Sequence, residues 1–226
     1  MFVTRRRGPT ITSGNQSQGK DDRVIVGIVG HLGNMGTRYC RIVEHLGHEW
    51  IGADVGSDPR TLAFTADALI VASPTAYHVD HIRALKDYSL PILCEKPVTK
   101  DLDELEELLA DLKKAGTRLK VVNQYAELSF PKDGKGLTAY DYFKTGGDGL
   151  YWDCISLIGL ANGAVELRNK SPIWHAQING EPLSISDMDA AYVRMVSRWL
   201  RDPTATDYDA IHRTHKRVYD LCRPKS

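Results

Sequence analysis

Three glycines at regular spacing follow a short apolar run near the start of the chain, and this arrangement can bind a phosphate group. The run 24–29 leads into Gly30, Gly33 and Gly36. A buried parallel strand is rich in Val and Ile, and glycines after it let backbone N–H groups approach a pyrophosphate at the next helix. We therefore predict a dinucleotide-binding loop, one residue longer than the usual Gly-x-Gly-x-x-Gly. Its candidate contacts are Gly30, His31, Leu32, Gly33, Asn34, Met35 and Gly36.

An acidic residue ends the second predicted strand, about twenty residues beyond the glycines. In a nicotinamide-binding fold an acid at this place accepts hydrogen bonds from the adenosine ribose and repels a 2′-phosphate. Asp54 occupies the position. Its alternative role is that of an ordinary turn residue. NAD is the predicted cofactor, and Ser57 and Arg60 nearby leave NADP open.

Two further strand ends carry polar residues that could line the same cleft. The run 68–72 leads into Ser73, Pro74 and Thr75, with His78 starting the next helix, and the run 91–94 leads into Glu95 and Lys96. A cation at the carboxyl end of a strand can stabilise a developing alkoxide or orient an oxygen. Taken alone, Lys96 could equally be a surface residue, and His78 could simply bind the backbone.

The spacing of apolar residues predicts an α/β fold around these positions. We expect a Rossmann-type, doubly wound parallel sheet at residues 23–126. The helix 101–114 has leucines on one face and acids on the other, which indicates a solvated surface and not a metal site. The predicted strands are 24–29, 49–54, 68–75, 91–94 and 119–125, and the predicted helices are 37–46, 78–86 and 101–114.

The ordered set of these motifs resembles the Gfo/Idh/MocA (glucose-fructose oxidoreductase / inositol dehydrogenase / rhizopine catabolism) family. The resemblance is carried by the glycine loop, Asp54, Ala-Ser-Pro-Thr-x-x-His at 72–78 and Cys-Glu-Lys-Pro at 94–97. It implies that Lys96 reaches the substrate hydroxyl beside the nicotinamide. It also places Asn123 and Tyr125 where cofactor or substrate contacts are common.

The sequence pattern of the second half of the chain predicts a smaller α+β domain, residues 127–226. This domain would bind substrate and mediate dimerisation. Families of this type carry a large open sheet, whereas only about one hundred residues follow Tyr125. Asn179-Gly180 indicates a hairpin, and Thr206 is the expected cap of a final helix that would pack on the Rossmann domain. The predicted strands are 137–144, 165–168, 174–178 and 182–185, and Ser186-Asp187 precede a helix that ends near Leu200.

One position of the family's catalytic helix differs here. Asp153 matches an Asp that is followed four residues later by His in the family, but Leu157 stands at the His position. A leucine cannot transfer a proton, so another titratable group must serve if the chain is an enzyme. Tyr151, Asp153 and Tyr125 are the candidates beside Lys96, and Tyr151 and Asp153 could instead be structural.

The composition of the chain argues against nucleic acid and membranes as binding partners. Lys plus Arg and Asp plus Glu each number 29, so no global charge favours nucleic acid or a membrane surface. No apolar run reaches the ~18 residues of a membrane span. The four cysteines show no CxxC spacing, which argues against a disulfide framework and a zinc site. We expect a cytoplasmic protein whose residues 1–22 form a flexible basic leader.

These observations favour an NAD(P)-dependent oxidoreductase that acts on a sugar, cyclitol or related polyhydroxy compound. Lys96 would be central, with Asp153 or Tyr151 assisting. A catalytically silent dinucleotide-binding regulator or assembly protein is the alternative from another class. The Gly-x-x-Gly-x-x-Gly spacing also resembles reductases of the dihydrodipicolinate type, whose His-rich and basic motifs are not evident here. Open strand edges in the small domain predict a homo-oligomer, with a dimer favoured.

Overall fold

The N-terminal part of the chain is organised around one twisted sheet. The structure, a computed structural model, describes residues 4–6, 23–128, 137–140, 149–161, 163–168, 175–178, 181–182 and 188–223. Five strands run parallel and a sixth pairs antiparallel at one edge, in the order β1-β3-β2-β4-β5-β6. The strands are β1 (Thr4–Arg6), β2 (Ile25–Val29), β3 (Glu49–Ala53), β4 (Ala68–Val71), β5 (Ile92–Cys94) and β6 (Leu119–Val121).

Helices cover both faces of this sheet, as a parallel sheet requires. These helices are amphipathic. The capping residues of α4 explain where that helix begins and ends. Asp101 accepts hydrogen bonds from the N–H groups of Asp103 and Glu104, and Gly116 ends the helix at φ +70°. The helices of this domain are α1 (Asn34–His45), α2 (Arg60–Ala63), α3 (His78–Leu85) and α4 (Leu102–Ala115).

The last two helices return to the large sheet and cover opposite faces of it. The helix α7 (Met188–Arg201) packs beside α1, where Trp199 is 1 % exposed. The helix α8 (Tyr208–Cys222) packs against α4 on the other face through Ile211. The side-chain cap of α8 is Asp207, which accepts from the N–H of Ala210, so the prediction of Thr206 as the cap was wrong.

The small domain contains two short helices and a second sheet of four strands in the order β10-β9-β7-β8. The strands β7 and β8 are parallel, with α5 and α6 in the connection between them, whereas β9 pairs antiparallel with both β7 and β10. The pairing of Ile178 with Glu181 fits the predicted hairpin, although Asn179-Gly180 lie outside the described residues. The elements are β7 (Leu137–Tyr140), α5 (Leu150–Asp153), α6 (Ile155–Leu160), β8 (Val165–Arg168), β9 (His175–Ile178) and β10 (Glu181–Pro182).

Two other segments differ from the expectation. Within the predicted flexible leader, Thr4–Arg6 pair with β3 as an edge strand, so those residues are not a free tail. The sixth strand of the sheet ends at Val121, and Gln124–Glu127 form a 3₁₀ turn instead of continuing the strand. Residues 7–22, 141–144, 174 and 183–187, on which other predictions fall, lie outside the described part of the chain.

Candidate functional site

The glycine loop joins β2 to α1 and closes tightly on itself. Gly30 has φ +82°, and a Cβ there would lie 2.7 Å from the backbone nitrogen of Ser73. A Cβ on Gly36 would overlap the carbonyl oxygen of Gly30. Both positions therefore need glycine, because the loop, the strand β4 and the first turn of α1 approach one another with no room for a side chain.

The N-terminus of α1 is suited to an anion. Its N-cap is Gly33, which supplies no capping side chain, and no acid lies in the first turn. The first N–H groups of a helix lack intrahelical partners and carry the positive end of the helix dipole. A pyrophosphate at this point would receive backbone hydrogen bonds. Asn34 and Met35 are the first two residues of this helix.

Asp54 follows β3 and faces the same loop. Its Oδ2 accepts from the N–H of Leu32 at 2.8 Å, and its Oδ1 accepts from the N–H of Val55 at 2.9 Å. The carboxylate is thus held against the glycine loop while its side chain stays 22 % exposed. Its oxygens have lone pairs left for a ribose hydroxyl, and the predicted ribose contact stays a prediction.

A cleft of about 260 Å³ lies between the carboxyl ends of β2, β3 and β4. We call it the glycine-loop cleft. The crevice at the carboxyl ends of an open parallel sheet, where the strand order reverses, is the usual ligand site of such folds. Ser73 Oγ lies 2.9 Å from Nδ1 of His81, and burial lowers the pKa of that histidine, assisted by the nearby His78. The principal residues that line the glycine-loop cleft are Gly30, Asp54, Ser73, Pro74, Tyr77 and His81.

Two cleft residues were absent from the sequence prediction. The rings of Tyr77 and His81 are stacked with centroids 6.1 Å apart. The predicted residue Thr75 begins the 3₁₀ turn that carries Tyr77. The signal for His81 was present in the sequence, since it lies three residues after His78 and therefore on the same side of α3.

Two predicted cofactor contacts turn their side chains away from the cleft. The ring of His31 is 8 % exposed and lies against Gly52, where a Cβ would overlap it. The ring nitrogens of His78 lie 2.7 Å from the carbonyl oxygen of Ser73 and 2.8 Å from that of Pro97. His78 therefore braces the loops after β4 and β5, which is the backbone-bound alternative.

Glu95 ends β5 and is buried. Its Oε1 accepts from the hydroxyl of Tyr39 at 2.6 Å, and its Oε2 accepts from the backbone N–H of Lys96 at 3.1 Å. Burial and, after it, the charge of Glu95 raise the pKa of Tyr39 well above its usual value. The predicted cofactor residue Glu95 thus connects α1, which follows the glycine loop, to the loop that carries Lys96.

The structure brings Lys96 to the short helix α5. Its Nζ donates to the backbone oxygen of Asp153 at 2.9 Å. Tyr151 is half-buried and packs against the small-domain core, which also contains Tyr125. Leu157 is 1 % exposed in that core. The predicted lysine and aspartate are therefore neighbours, whereas the position of the family's histidine faces other apolar side chains.

A second cavity, of about 380 Å³, lies along the open edge of β6 between α6 and α8. Lys96 and Asn123 stand at its wall, at the carboxyl end of β6. The side-chain oxygen of Asn123 is buried and accepts no hydrogen bond from the part of the chain that the structure describes. Lys96 therefore lines this second cavity, whereas the glycine-loop cleft is lined by residues that follow β2, β3 and β4.

His215 of α8 is a further residue that sequence reasoning missed. It is 2 % exposed, and its Nε2 accepts from the backbone N–H of Val98, two residues after Lys96. Its Nδ1 donates to the carbonyl of Ile211 at 2.8 Å. Both nitrogens are occupied, so His215 positions the loop and cannot replace the missing base. A histidine on the inward face with Ile211 and Val218 was the available signal.

The described residues contain no candidate metal cluster and no helix that could span a membrane. Among those residues, no group of three or more His, Cys, Asp or Glu side chains is placed to hold a metal ion. None of their helices is both long and apolar enough to span a membrane. The four cysteines, all within the described residues, form no disulfide, and Cys222 is exposed.

Comparison with known proteins gives a family match within the N-terminal domain. Residues 44–123 match the family model described as "Oxidoreductase family, NAD-binding Rossmann fold". An uncharacterized oxidoreductase of Bacillus subtilis, YrbE, is 44 % identical over 55 residues. This match covers 24 % of the present chain and 16 % of the relative's own length. The predicted Rossmann fold and NAD-binding class are confirmed.

Solved structures share the fold at low sequence identity. The WlbA (WbpB) dehydrogenase of Thermus thermophilus, in complex with NAD and UDP-GlcNAcA, superposes with a TM-score of 0.65 at 15 % identity, covering 90 % of this chain and 96 % of that one. A myo-inositol dehydrogenase of Corynebacterium glutamicum gives 0.65 at 13 %, covering 88 % and 95 %. The UDP-N-acetylglucosamine 3-dehydrogenase GnnA of Acidithiobacillus ferrooxidans gives 0.59 at 15 %, covering 88 % and 96 %.

Proposed function

We propose, on the premise that the N-terminal domain belongs to the Gfo/Idh/MocA oxidoreductase family, that this chain is an NAD-dependent oxidoreductase of a sugar, cyclitol or related polyhydroxy compound. The observation that carries the proposal is that the glycine loop, Asp54 and Lys96 each follow a strand at the carboxyl edge of one parallel sheet. The structural relatives include an inositol dehydrogenase and two dehydrogenases named for, or crystallised with, nucleotide sugars, which supports this substrate class.

The residues present fit NAD better than NADP. Gly30 and Gly36 leave the space that a pyrophosphate needs, and Asp54 offers its carboxylate where a 2′-phosphate would be repelled. Arg60, the cation nearby, is paired with Asp58, whose Oδ2 lies 2.9 Å from its Nε and 2.8 Å from an outer nitrogen, so part of its charge is already compensated. Because the nearby cation is already paired, the cleft favours the cofactor without the extra phosphate.

The reaction needs a hydride acceptor and a proton acceptor. Bound NAD supplies the first, since its nicotinamide accepts a hydride from the carbon of a CH–OH group. Lys96 would donate a hydrogen bond to the hydroxyl oxygen through an N–H of its ammonium other than the one that binds the carbonyl of Asp153. The carboxylate of Asp153, or Tyr151 acting as its phenolate, would receive the proton.

A test begins with binding and proceeds to turnover. We expect NAD to raise the melting temperature and a panel of polyols and nucleotide sugars to give the absorbance change of nicotinamide reduction. Lys96→Met should reduce turnover by about a hundredfold or more while NAD binding is retained. Lys113→Met, on the exposed side of α4, is the matched control. Failure of NAD to change the melting temperature would contradict the proposal.

One observation favours a catalytically silent dinucleotide-binding protein as the second candidate. The ammonium of Lys96 is already bound to a backbone carbonyl, and Leu157 removes the family's histidine. Such a protein would bind NAD with the same pattern of variants and give no turnover across a broad substrate panel. The two candidates therefore differ in the activity assay and agree in the binding assay.

We also propose that the small sheet pairs two chains into a homodimer. Its outer strands are β10 and β8, and an open strand edge is a natural surface for pairing. Size-exclusion chromatography with light scattering should give twice the chain mass. A single monomer mass at micromolar concentration would contradict this assembly.

A further inference from the structure

Within the described part of the chain, the buried carboxylate of Glu95 accepts hydrogen bonds from neutral donors only. It is 7 % exposed, and its two oxygens accept from the hydroxyl of Tyr39 and from the backbone N–H of Lys96. A buried carboxylate normally has a cationic partner, because removing the charge from water is costly. The arrangement gives each oxygen of Glu95 a hydrogen bond without neutralising its charge.

The cations around Glu95 are directed elsewhere. Among the described residues, no nitrogen of Lys, Arg or His forms an ion pair with its carboxylate. Lys96 follows directly in the chain, but its ammonium lies on the carbonyl of Asp153. The guanidinium of Arg38 lies 5.0 Å from the ring centre of Tyr192, whose ring in turn packs edge-on against Tyr39.

The negative charge of Glu95 shifts the pKa values of neighbouring titratable side chains. After desolvation, the charge of Glu95 is the next cause that raises the pKa of Tyr39, Cys94 and Tyr192. These three groups lie on α1, β5 and α7, so the negative potential extends in several directions from the end of β5. Glu95 itself directly follows β5 and precedes Lys96 at the carboxyl edge of the sheet.

We propose that Glu95 makes the site discriminate between the two redox states of the cofactor, favouring the oxidised, cationic nicotinamide over the reduced, neutral one. The inference rests on the proposed function, because it assumes that NAD binds at this edge of the sheet. Its physical basis is that an unpaired charge in a low-dielectric interior acts over a longer distance than it would in water. The two redox states share every other part of the cofactor.

The experiment compares dissociation constants for NAD⁺ and NADH on the full chain. Glu95→Gln preserves the shape and can still accept from Tyr39, but it removes the charge. We expect the preference for NAD⁺ over NADH to fall by about tenfold in this variant. Tyr39→Phe removes a donor and keeps the carboxylate, so the preference should stay at or above that of the wild type.

Asp54→Asn supplies the matched control. It changes a carboxylate that is expected to contact the adenosine ribose, which is common to both redox states. Both affinities should therefore weaken by the same factor, and their ratio should remain that of the wild type. A change in the ratio for Asp54→Asn equal to that for Glu95→Gln would overturn the assignment to Glu95.

The wild-type chain gives a second test that needs no variant. It should bind NAD⁺ at least as tightly as NADH, and the ratio should change little between low and high salt because a buried charge is weakly screened. Tighter binding of NADH by about tenfold or more would overturn the inference, as would a ratio that Glu95→Gln leaves unchanged. Absence of binding by either form would instead overturn the proposed function.

Discussion

The ring of His215 and the backbone N–H of Val98 form a hydrogen bond of 3.1 Å between positions 117 residues apart. The bond fixes the loop that follows Lys96 to the helix α8, and it requires Nε2 to be unprotonated. Because Nδ1 donates to Ile211, the imidazole is held in one neutral tautomer. Burial lowers the pKa of His215 to about 4.

This histidine makes stability dependent on pH in the acidic range. The folded pKa lies below the unfolded value of about 6.5, so the unfolded chain binds more protons between about pH 6.5 and pH 4. The free energy of unfolding should therefore fall by about 3 kcal/mol across that range. Burial also lowers the pKa values of His48 and His81, which act in the same direction. Urea unfolding at a series of pH values measures the slope.

The variant His215→Gln isolates the contribution of this residue. It should be less stable at neutral pH, because the N–H of Val98 loses an aromatic nitrogen acceptor, and its stability should vary less over the same acidic range. A wild-type slope in the variant would show that other groups cause the acid sensitivity.

Replacing Gly33 or Gly36 of the glycine loop by alanine should lower the melting temperature by different amounts. Gly36→Ala would force its Cβ onto the carbonyl of Gly30, whereas the nearest heavy atom to a Cβ on Gly33 is 3.3 Å away and its φ of −69° suits any residue. We expect Gly36→Ala to lower the melting temperature by about 5–10 °C and Gly33→Ala by less than half of that. Equal shifts would contradict the close packing at Gly36.

Cofactor selectivity is expected to depend on Asp54. Asp54→Ser removes the charge that would repel a 2′-phosphate and leaves a small polar side chain. The ratio of NADH to NADPH affinity should fall by about tenfold or more, measured by fluorescence titration of both cofactors. Asp58→Ser releases Arg60 and should strengthen NADPH binding without weakening NADH binding. Loss of both affinities in Asp58→Ser would mean that the segment has a structural role only.

The hydroxyl of Tyr39 should matter for stability. Tyr39→Phe leaves Oε1 of the buried Glu95 without its donor, which costs about 1–3 kcal/mol of the free energy of unfolding. Tyr77→Phe changes a tyrosine that is 55 % exposed and should alter stability by less than about 0.5 kcal/mol. Urea unfolding at neutral pH compares the two. Equal stability of Tyr39→Phe and the wild type would contradict the hydrogen bond.

Much of the large sheet could be predicted from the sequence because its local signals agree. The apolar runs that form β2 to β5 are bounded by Gly, Asp, Pro or charged residues, and Gly116 ends α4 where the pattern stops. Such features depend on near neighbours in the chain. They also place Asp54, Ser73 and Lys96 at strand ends, which is why the sequence alone predicts the outline of the candidate site.

The remaining features depend on contacts between distant positions. Tyr39 lies on the buried face of α1, but its bond to Glu95 spans 56 residues and has no local signal. The same holds for His215 and for the antiparallel pairing of Thr4–Arg6 with β3. The roles of Lys96, Asp153 and Tyr151 in catalysis stay predictions.

The placement of α7 and α8 on opposite faces of the large sheet bears on the order of events during synthesis. Both helices lie after residue 187, yet Trp199 and Ile211 complete the two apolar layers around β2 to β6. A ribosome that has released only residues 1–126 would therefore display a sheet with incomplete cover on each side. We expect a fragment ending at residue 187 to bind a hydrophobic dye and to be digested faster by protease than the full chain.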